Sequence, residues 1–194
     1  MRPLFAITLF TLAGCSLGGG VASVERGELA KLVLQPDDLS RVFLRFDEGR
    51  QIMADSRGGH RADPDRFGRL GGWKARYRRG GGPQTVGPLV IESRADIFDS
   101  ADGAEDDFNA AREDLKDSEL GWNPIDEPGL GDESFAATYV QSALNAVRYY
   151  QVFWRHDNAT ASIDVNGFDG KLALADVLEL ARKQERRIAR AASP

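Results

Sequence analysis

The chain has 194 residues, with 25 Lys and Arg against 30 Asp and Glu for a formal net charge of −5, 42% hydrophobic residues and a single cysteine. Such a composition belongs to a globular protein of about one domain, too apolar and too aromatic to remain disordered. No apolar run approaches the ~20 residues of a membrane span, one cysteine excludes a disulfide framework or a cysteine-rich zinc site, and the negative charge argues against nucleic acid as a partner.

At the N-terminus Arg2 precedes an apolar stretch, residues 4–12, that runs into Leu12-Ala13-Gly14-Cys15. The stretch suits an export signal and is too short to span a bilayer. Its last four residues resemble the lipobox of bacterial lipoproteins, in which the cysteine thiol receives a diacylglyceryl group and the signal is cut just before it. Small Ala13 and Gly14 would let a peptidase reach the backbone, and a thiol is the strongest nucleophile for the alkylation. The resemblance implies a signal peptide over residues 1–14, a lipidated Cys15 and a flexible tether over 15–27, and a folded domain over 28–194. Acyl chains such as palmitate contribute about 0.8 kcal/mol per buried CH₂, so two or three of them give stable attachment. Ser16 after the cysteine resembles the pattern sorted to the outer membrane. The expected location is the extracytoplasmic face of the cell membrane or outer membrane.

Along the expected domain, residues 29–35 are apolar and Pro36-Asp37-Asp38-Leu39 reads as a proline-opened helical turn. Residues 47–72 are rich in Gly, Arg and Asp and read as a long loop, a candidate binding element. From Trp73 to Arg79 apolar and basic residues alternate, the signature of a half-buried strand with a basic outer face. A second strand follows over 89–98, with Leu89, Ile91, Ala95 and Ile97 on one side and Glu92, Arg94 and Asp96 on the other, and the two are expected to pair as a hairpin. Asp99 or Ser100 can cap a helix whose narrow apolar stripe is Ala101, Ala104, Phe108, Ala111 and Leu115. Residues 121–134 form a turn-rich connection and 135–140 a short strand.

Two β-rich runs, 147–156 and 159–166, flank Asp157-Asn158, a pair that tolerates a two-residue hairpin turn. Pairing His156 with Ala159 sets Trp154 opposite Ala161, Val152 opposite Ile163 and Tyr150 opposite Val165, which gathers one apolar face from both strands. After Gly170 a final helix of about 20 residues buries Leu174, Val177, Leu178, Ala181 and Ile188 and ends in basic residues. The expected fold is a single α+β domain, an antiparallel sheet of about five strands with helices packed on one face.

The segments Gly72 to Tyr77, Gly131-Asp132-Glu133-Ser134, Trp154-Arg155, Leu174-Ala175 and Ala181 to Gln184 are similar to those of a group of secreted bacterial lipoproteins without assigned activity. Some extracytoplasmic sensor domains share such an arrangement of helices and sheet. The resemblance implies an exported α+β domain and carries no catalytic residue across.

Candidate chemistry is sparse. His60 and His156 are the only histidines and belong to no metalloprotease or nucleophile-elbow motif. Asp164, Asn166 and Asp169 lack the spacing of a calcium loop, so neither metal nor cofactor is expected. Charge is segregated: residues 57–79 hold eight basic and two acidic side chains, residues 96–133 fourteen acidic and two basic, which could anchor a loop to the protein's own acidic face. The second face of the last hairpin carries Val147, Tyr149 and Phe153 among Gln151, Ser162 and Asp164. Those aromatics need cover, from the long loop or the N-terminal segment, or else they line a cleft for a lipid, peptide or glycan.

Tyr149, Phe153, Trp73 and Tyr77 are therefore the candidate binding residues and Cys15 the lipidation site. The expected function is non-enzymatic: a membrane-tethered sensor or accessory domain that binds an envelope protein or a small amphipathic ligand. The alternative, an envelope hydrolase, would need two carboxyls facing one cleft about 5 to 9.5 Å apart.

Overall fold

Period-two alternation marks most of the strands, and these join in one antiparallel sheet. The computed structural model describes residues 23–51, 60, 64–125, 128–142 and 144–192; Cys15, the tether up to residue 22 and residues 52–59 and 61–63 of the expected 47–72 loop lie outside them. The strands are β1 (Leu44–Arg50), β2 (Arg69–Arg78), β3 (Val90–Phe98), β4 (Asn123–Ile125), β5 (Glu133–Gln141), β6 (Val147–His156) and β7 (Ala159–Phe168). The helices are α1 (Leu29–Leu32), α2 (Ala101–Lys116) and α3 (Leu174–Ala192), and the sheet order is β1-β2-β3-β7-β6-β5-β4. Among the described residues no helix is long and apolar enough to cross a membrane.

The C-terminal hairpin has the register expected from its turn, with His156 opposite Ala159, Trp154 opposite Ala161, Val152 opposite Ile163 and Tyr150 opposite Val165. Asp157 adopts φ +49°, the left-handed conformation the two-residue turn demands. β2 and β3 pair as expected, and β3 then joins β7, so Ile91, Ala95, Ala161, Ile163, Val152 and Trp154 make one continuous apolar face. Against it pack α3, through Val177, Leu180, Ala181 and Ile188, and α1, through Leu29 and Leu32. Polar groups inside this layer are satisfied. Ser93 Oγ accepts from Leu34 N at 2.9 Å and donates to Gln184 Oε1 at 2.8 Å, while Gln184 Nε2 donates to Arg94 O at 2.7 Å.

Three expectations are corrected. Among the described residues the sheet has seven strands rather than about five, because residues 47–50 of β1 and all of β4 fell in stretches read as loop; these two strands are its edges. Helices cover both faces rather than one: α2 lies opposite α1 and α3, with Asp107 accepting from the Thr160 hydroxyl at 2.9 Å and Phe108 packed on Phe135 and Phe153. Ser100 caps α2 as expected, its hydroxyl accepting from Gly103 N, and Gly103 lets the helix sit so close to the Phe67 carbonyl that a Cβ would collide with it. Finally, the described fold includes residues of the stretch 15–27 expected as tether. Val24 is buried, and its N–H donates to Asn158 Oδ1 at 2.8 Å.

Candidate functional site

Because the side-chain period is two, the register that builds the core face also assembles its reverse. Three cross-strand rows run there. Lys74, Arg94, Ser162, Phe153 and Phe135 form the first, Arg76, Glu92, Asp164, Gln151 and Ala137 the second, and Arg78, Val90, Asn166, Tyr149 and Tyr139 the third. Helix α2 covers the Phe153 end of the first row and stops at Lys116. Past its last turn the chain brings Trp122 back over the sheet, and the space between is a cleft of about 320 Å³ walled by Asp114, Leu115 and Trp122 and floored by Arg94, Gln151, Phe153, Ser162 and Asp164. It continues into a second basin of about 190 Å³ beside Arg76, Glu92, Tyr139, Tyr149 and Asn166, with Trp122 and Asp164 lining both.

One side of the cleft is aromatic. Tyr139 and Tyr149, opposite one another on β5 and β6, stack at 4.6 Å with ring planes 4° apart, and Trp122 meets Tyr139 edge-on at 4.5 Å. The Tyr149 hydroxyl donates to Gln141 Oε1 at 3.2 Å. Burial, with a smaller contribution from Tyr149, pushes the Tyr139 phenol above its ordinary value.

The other side alternates in charge. Arg76 approaches Asp47 at 3.6 Å and Glu92 at 2.8 Å, and Glu92 also contacts Arg94. Between this strip and the aromatics sits Asp164, which accepts from Ser162 Oγ at 3.1 Å. Desolvation is the chief cause that pushes its carboxyl up to about 6; Glu92 raises it further, whereas Arg94 and the hydrogen bonds from Ser162 and Gln151 hold it down. A carboxyl near pKa 6 in a polar cleft can accept a hydrogen bond from a ligand hydroxyl when ionised, and donate one when protonated.

The candidate residues are divided by this geometry. Tyr149 lines the cleft. Phe153 is buried on its floor against Phe108 of α2, and the N-terminal segment expected as a possible cover packs on the opposite face. Trp73 and Tyr77 lie on the core face, away from the cleft. Trp73 is partly buried, with Nε1 at 3.4 Å from Glu48; Tyr77 is a core residue whose hydroxyl donates to Leu34 O at 2.7 Å, so an open binding role for it is withdrawn.

His156 is half-buried and bound to Glu185 at 2.7 Å, and His60 is exposed, 3.0 Å from Asp117. Asp114 accepts from the His60 backbone N–H, so His60 contacts both the last turn of α2 and Asp117 just beyond it. The basic outer face of β2 is largely engaged by its own neighbours, Lys74 and Arg76 near Asp47 and Arg78 over the Phe46 ring. Asp169 binds Arg148 at 2.7 Å, and among the described residues no group of three or more His, Cys, Asp or Glu could hold a metal ion.

Trp122, Tyr139, Glu92 and Arg94 were missed as site residues. The alternation had already placed Glu92 and Arg94 on the outer side of β3, but the β3–β7 pairing that sets them beside Asp164 joins strands about 70 residues apart. No protein-family model and no curated protein matches the sequence. Among solved structures the fold is similar to the extracellular domain of PknH from Mycobacterium tuberculosis, with a TM-score of 0.66 and 11% identity over 88% of this chain and 100% of that one.

Proposed function

We propose that this chain is a lipoprotein anchored through Cys15 on the extracytoplasmic side of its membrane, and that its domain is a non-enzymatic sensor or accessory module binding an envelope ligand in the cleft beside α2. The observation that carries the reading is the cleft itself: aromatic rings on one side, ion-paired and amide groups on the other, and the desolvated Asp164 carboxyl between them. The fold likeness to a domain described as extracellular supports the same side of the membrane.

Carboxylate hydrolysis is the second reading, favoured by one relationship. Glu92 and Asp164 are directly opposed across β3 and β7, a placement that sets their Cβ atoms roughly 5 Å apart. Glu92, however, is engaged by both Arg76 and Arg94, which leaves Asp164 without a second uncommitted carboxylate opposite it.

The reading is tested in two steps on the full chain in an exporting host. Cys15→Ala is expected to move the protein from the membrane fraction to the soluble extracytoplasmic fraction; retention on washed membranes overturns the anchor. Native mass spectrometry is expected to find a co-purifying small mass that Tyr149→Ala removes. A co-purifying mass unaffected by that substitution overturns the cleft as the binding site.

A further inference from the structure

We infer that the cleft takes a saccharide, and that an N-acetylated amino sugar fits it best; this deepens the binding reading above and rests on it. The polar groups of the floor set the class. Arg94, Gln151, Asp164 and Asn166 come from adjacent positions of three rows on one face, where cross-strand neighbours stand roughly 5 Å apart. All four side chains end in planar groups with two polar atoms or more, and together they offer donors and acceptors in alternation. Paired hydroxyls around a pyranose ring present the complementary pattern: each hydroxyl both donates and accepts, and neighbouring hydroxyls are spaced to meet both atoms of one planar group.

The same ring has an apolar side, because its C–H bonds project above and below the ring. That side needs an aromatic surface, and Trp122, Tyr139 and Tyr149 stand at the margin of the polar floor. Tyr and Trp suit the task, with an apolar body for the ring and a polar edge for its hydroxyls.

Charge excludes the nearest competitors. Glu92 lies between Arg76 and Arg94, and Asp164 and Asp114 add two further carboxyls to the cleft. A phosphate or polyanionic ligand would meet three carboxylates there, whereas a simple cation would meet two arginines. An uncharged polyhydroxylated ligand meets neither penalty and offers the desolvated Asp164 carboxylate hydroxyl donors beyond those of Ser162 and Gln151.

The acetamido preference comes from the other end. Leu115, Phe135 and Phe153 form an apolar corner of the larger basin immediately beside Gln151. A methyl group can bury there while its amide meets a side-chain amide. A volume of about 320 Å³ lies at the lower end of the ~300–1,000 Å³ range of small-molecule sites, and the second basin of about 190 Å³ offers room for a further ring.

The test uses the full chain, extracted from membranes in a polyoxyethylene detergent so that no sugar headgroup competes, and titrated calorimetrically with N,N′-diacetylchitobiose and with cellobiose. The expected result is binding of the acetylated disaccharide at least tenfold tighter than cellobiose, weakened at least tenfold by Tyr149→Ala and by Asp164→Asn in variants whose circular dichroism is unchanged. Asp164→Asn keeps the planar shape, so its loss of binding reports the carboxylate and not collapse of the cleft. Equal or absent binding of both disaccharides overturns the inference. If native mass spectrometry meanwhile shows a non-sugar ligand displaced by Tyr149→Ala, the saccharide falls and the cleft stands. If saccharide binding survives both substitutions, the cleft reading falls with it.

Discussion

The indole Nε1–H of Trp154 donates to Glu185 Oε2 at 2.6 Å, tying the largest fully buried side chain of the molecule to α3. Sheet and helix are thus joined by a hydrogen bond as well as by apolar contact. Trp154→Ala removes the ring from a site with no exposure and leaves one carboxylate oxygen without its donor. The expected cost is about 3 to 5 kcal/mol, read as a lower urea midpoint at unchanged slope. Trp154→Phe, which keeps an aromatic body and loses only the N–H, should cost less than half as much.

The other oxygen of Glu185 holds His156 Nδ1 at 2.7 Å. That hydrogen bond is the largest cause raising the His156 pKa above 6.5, with the charges of Glu185, Asp157 and Asp132 adding to it and burial opposing it. Because the folded-state value is the higher one, the stabilisation is complete below pH 6.5 and is lost as pH rises through the folded-state pKa. The melting temperature of the wild-type protein should therefore fall on going from pH 6.5 to alkaline conditions. Glu185→Gln keeps an acceptor for Trp154 but removes the charge, so the fall should flatten; an equally steep fall in that variant would assign it to another group.

How much of this was legible in the sequence follows from where each strand lies. β6 and β7 could be paired residue by residue because their turn is two residues long and the middle of one of their faces is apolar, so a one-residue slip would expose Trp154 and Val152. β1 and β4 could not be seen, and they are the edges. Leu44 and Phe46 are exposed on β1, the register breaks between Arg45 and Asp47, and β4 is three residues with a proline at its centre. Edge strands are short and irregular for a physical reason, since a long apolar edge would pair with other chains.

The site divides in the same way. Tyr149, Gln151 and Asp164 were placed on one face by the hairpin register alone. Trp122 sits in a stretch whose Gly and Pro content signals only a turn, and the position of α2 on the reverse face depends on Asp107, a charged residue inside an otherwise acidic, solvent-facing pattern. Periodicity assigns an aspartate to the solvent; it cannot show that Thr160, 53 residues away in sequence, supplies a hydroxyl for it.

That contact gives a direct test of how α2 is held. Asp107 and Thr160 are both fully or almost fully buried and share a 2.9 Å hydrogen bond. Thr160→Val keeps the volume and deletes the donor, leaving a buried acceptor short of one partner at a cost of about 1 to 3 kcal/mol. Hydrogen exchange should then accelerate in α2 more than in α3, because only α2 depends on the bond. Equal acceleration in both helices would mean that α2 does not open independently.

Asp164 carries the opposite sign from a stabilising carboxylate. Its ordinary pKa of 3.8 is pushed up to about 6, chiefly by desolvation, so the folded protein holds the proton more tightly than the unfolded chain does. The resulting contribution is fully present below about pH 4 and is lost as pH rises to about 6, after which the ionised carboxylate remains as a standing cost of order 3 kcal/mol. Asp164→Asn removes that cost while keeping the shape of the side chain and an acceptor for Ser162. The variant should unfold at a higher urea concentration than wild type at pH 7 and at nearly the same concentration at pH 4. A variant less stable than wild type at pH 7 would mean that the Arg94 attraction outweighs desolvation. A cleft that keeps a destabilising carboxylate at neutral pH is using it for something other than stability, which fits a group held ready for a ligand's hydroxyls.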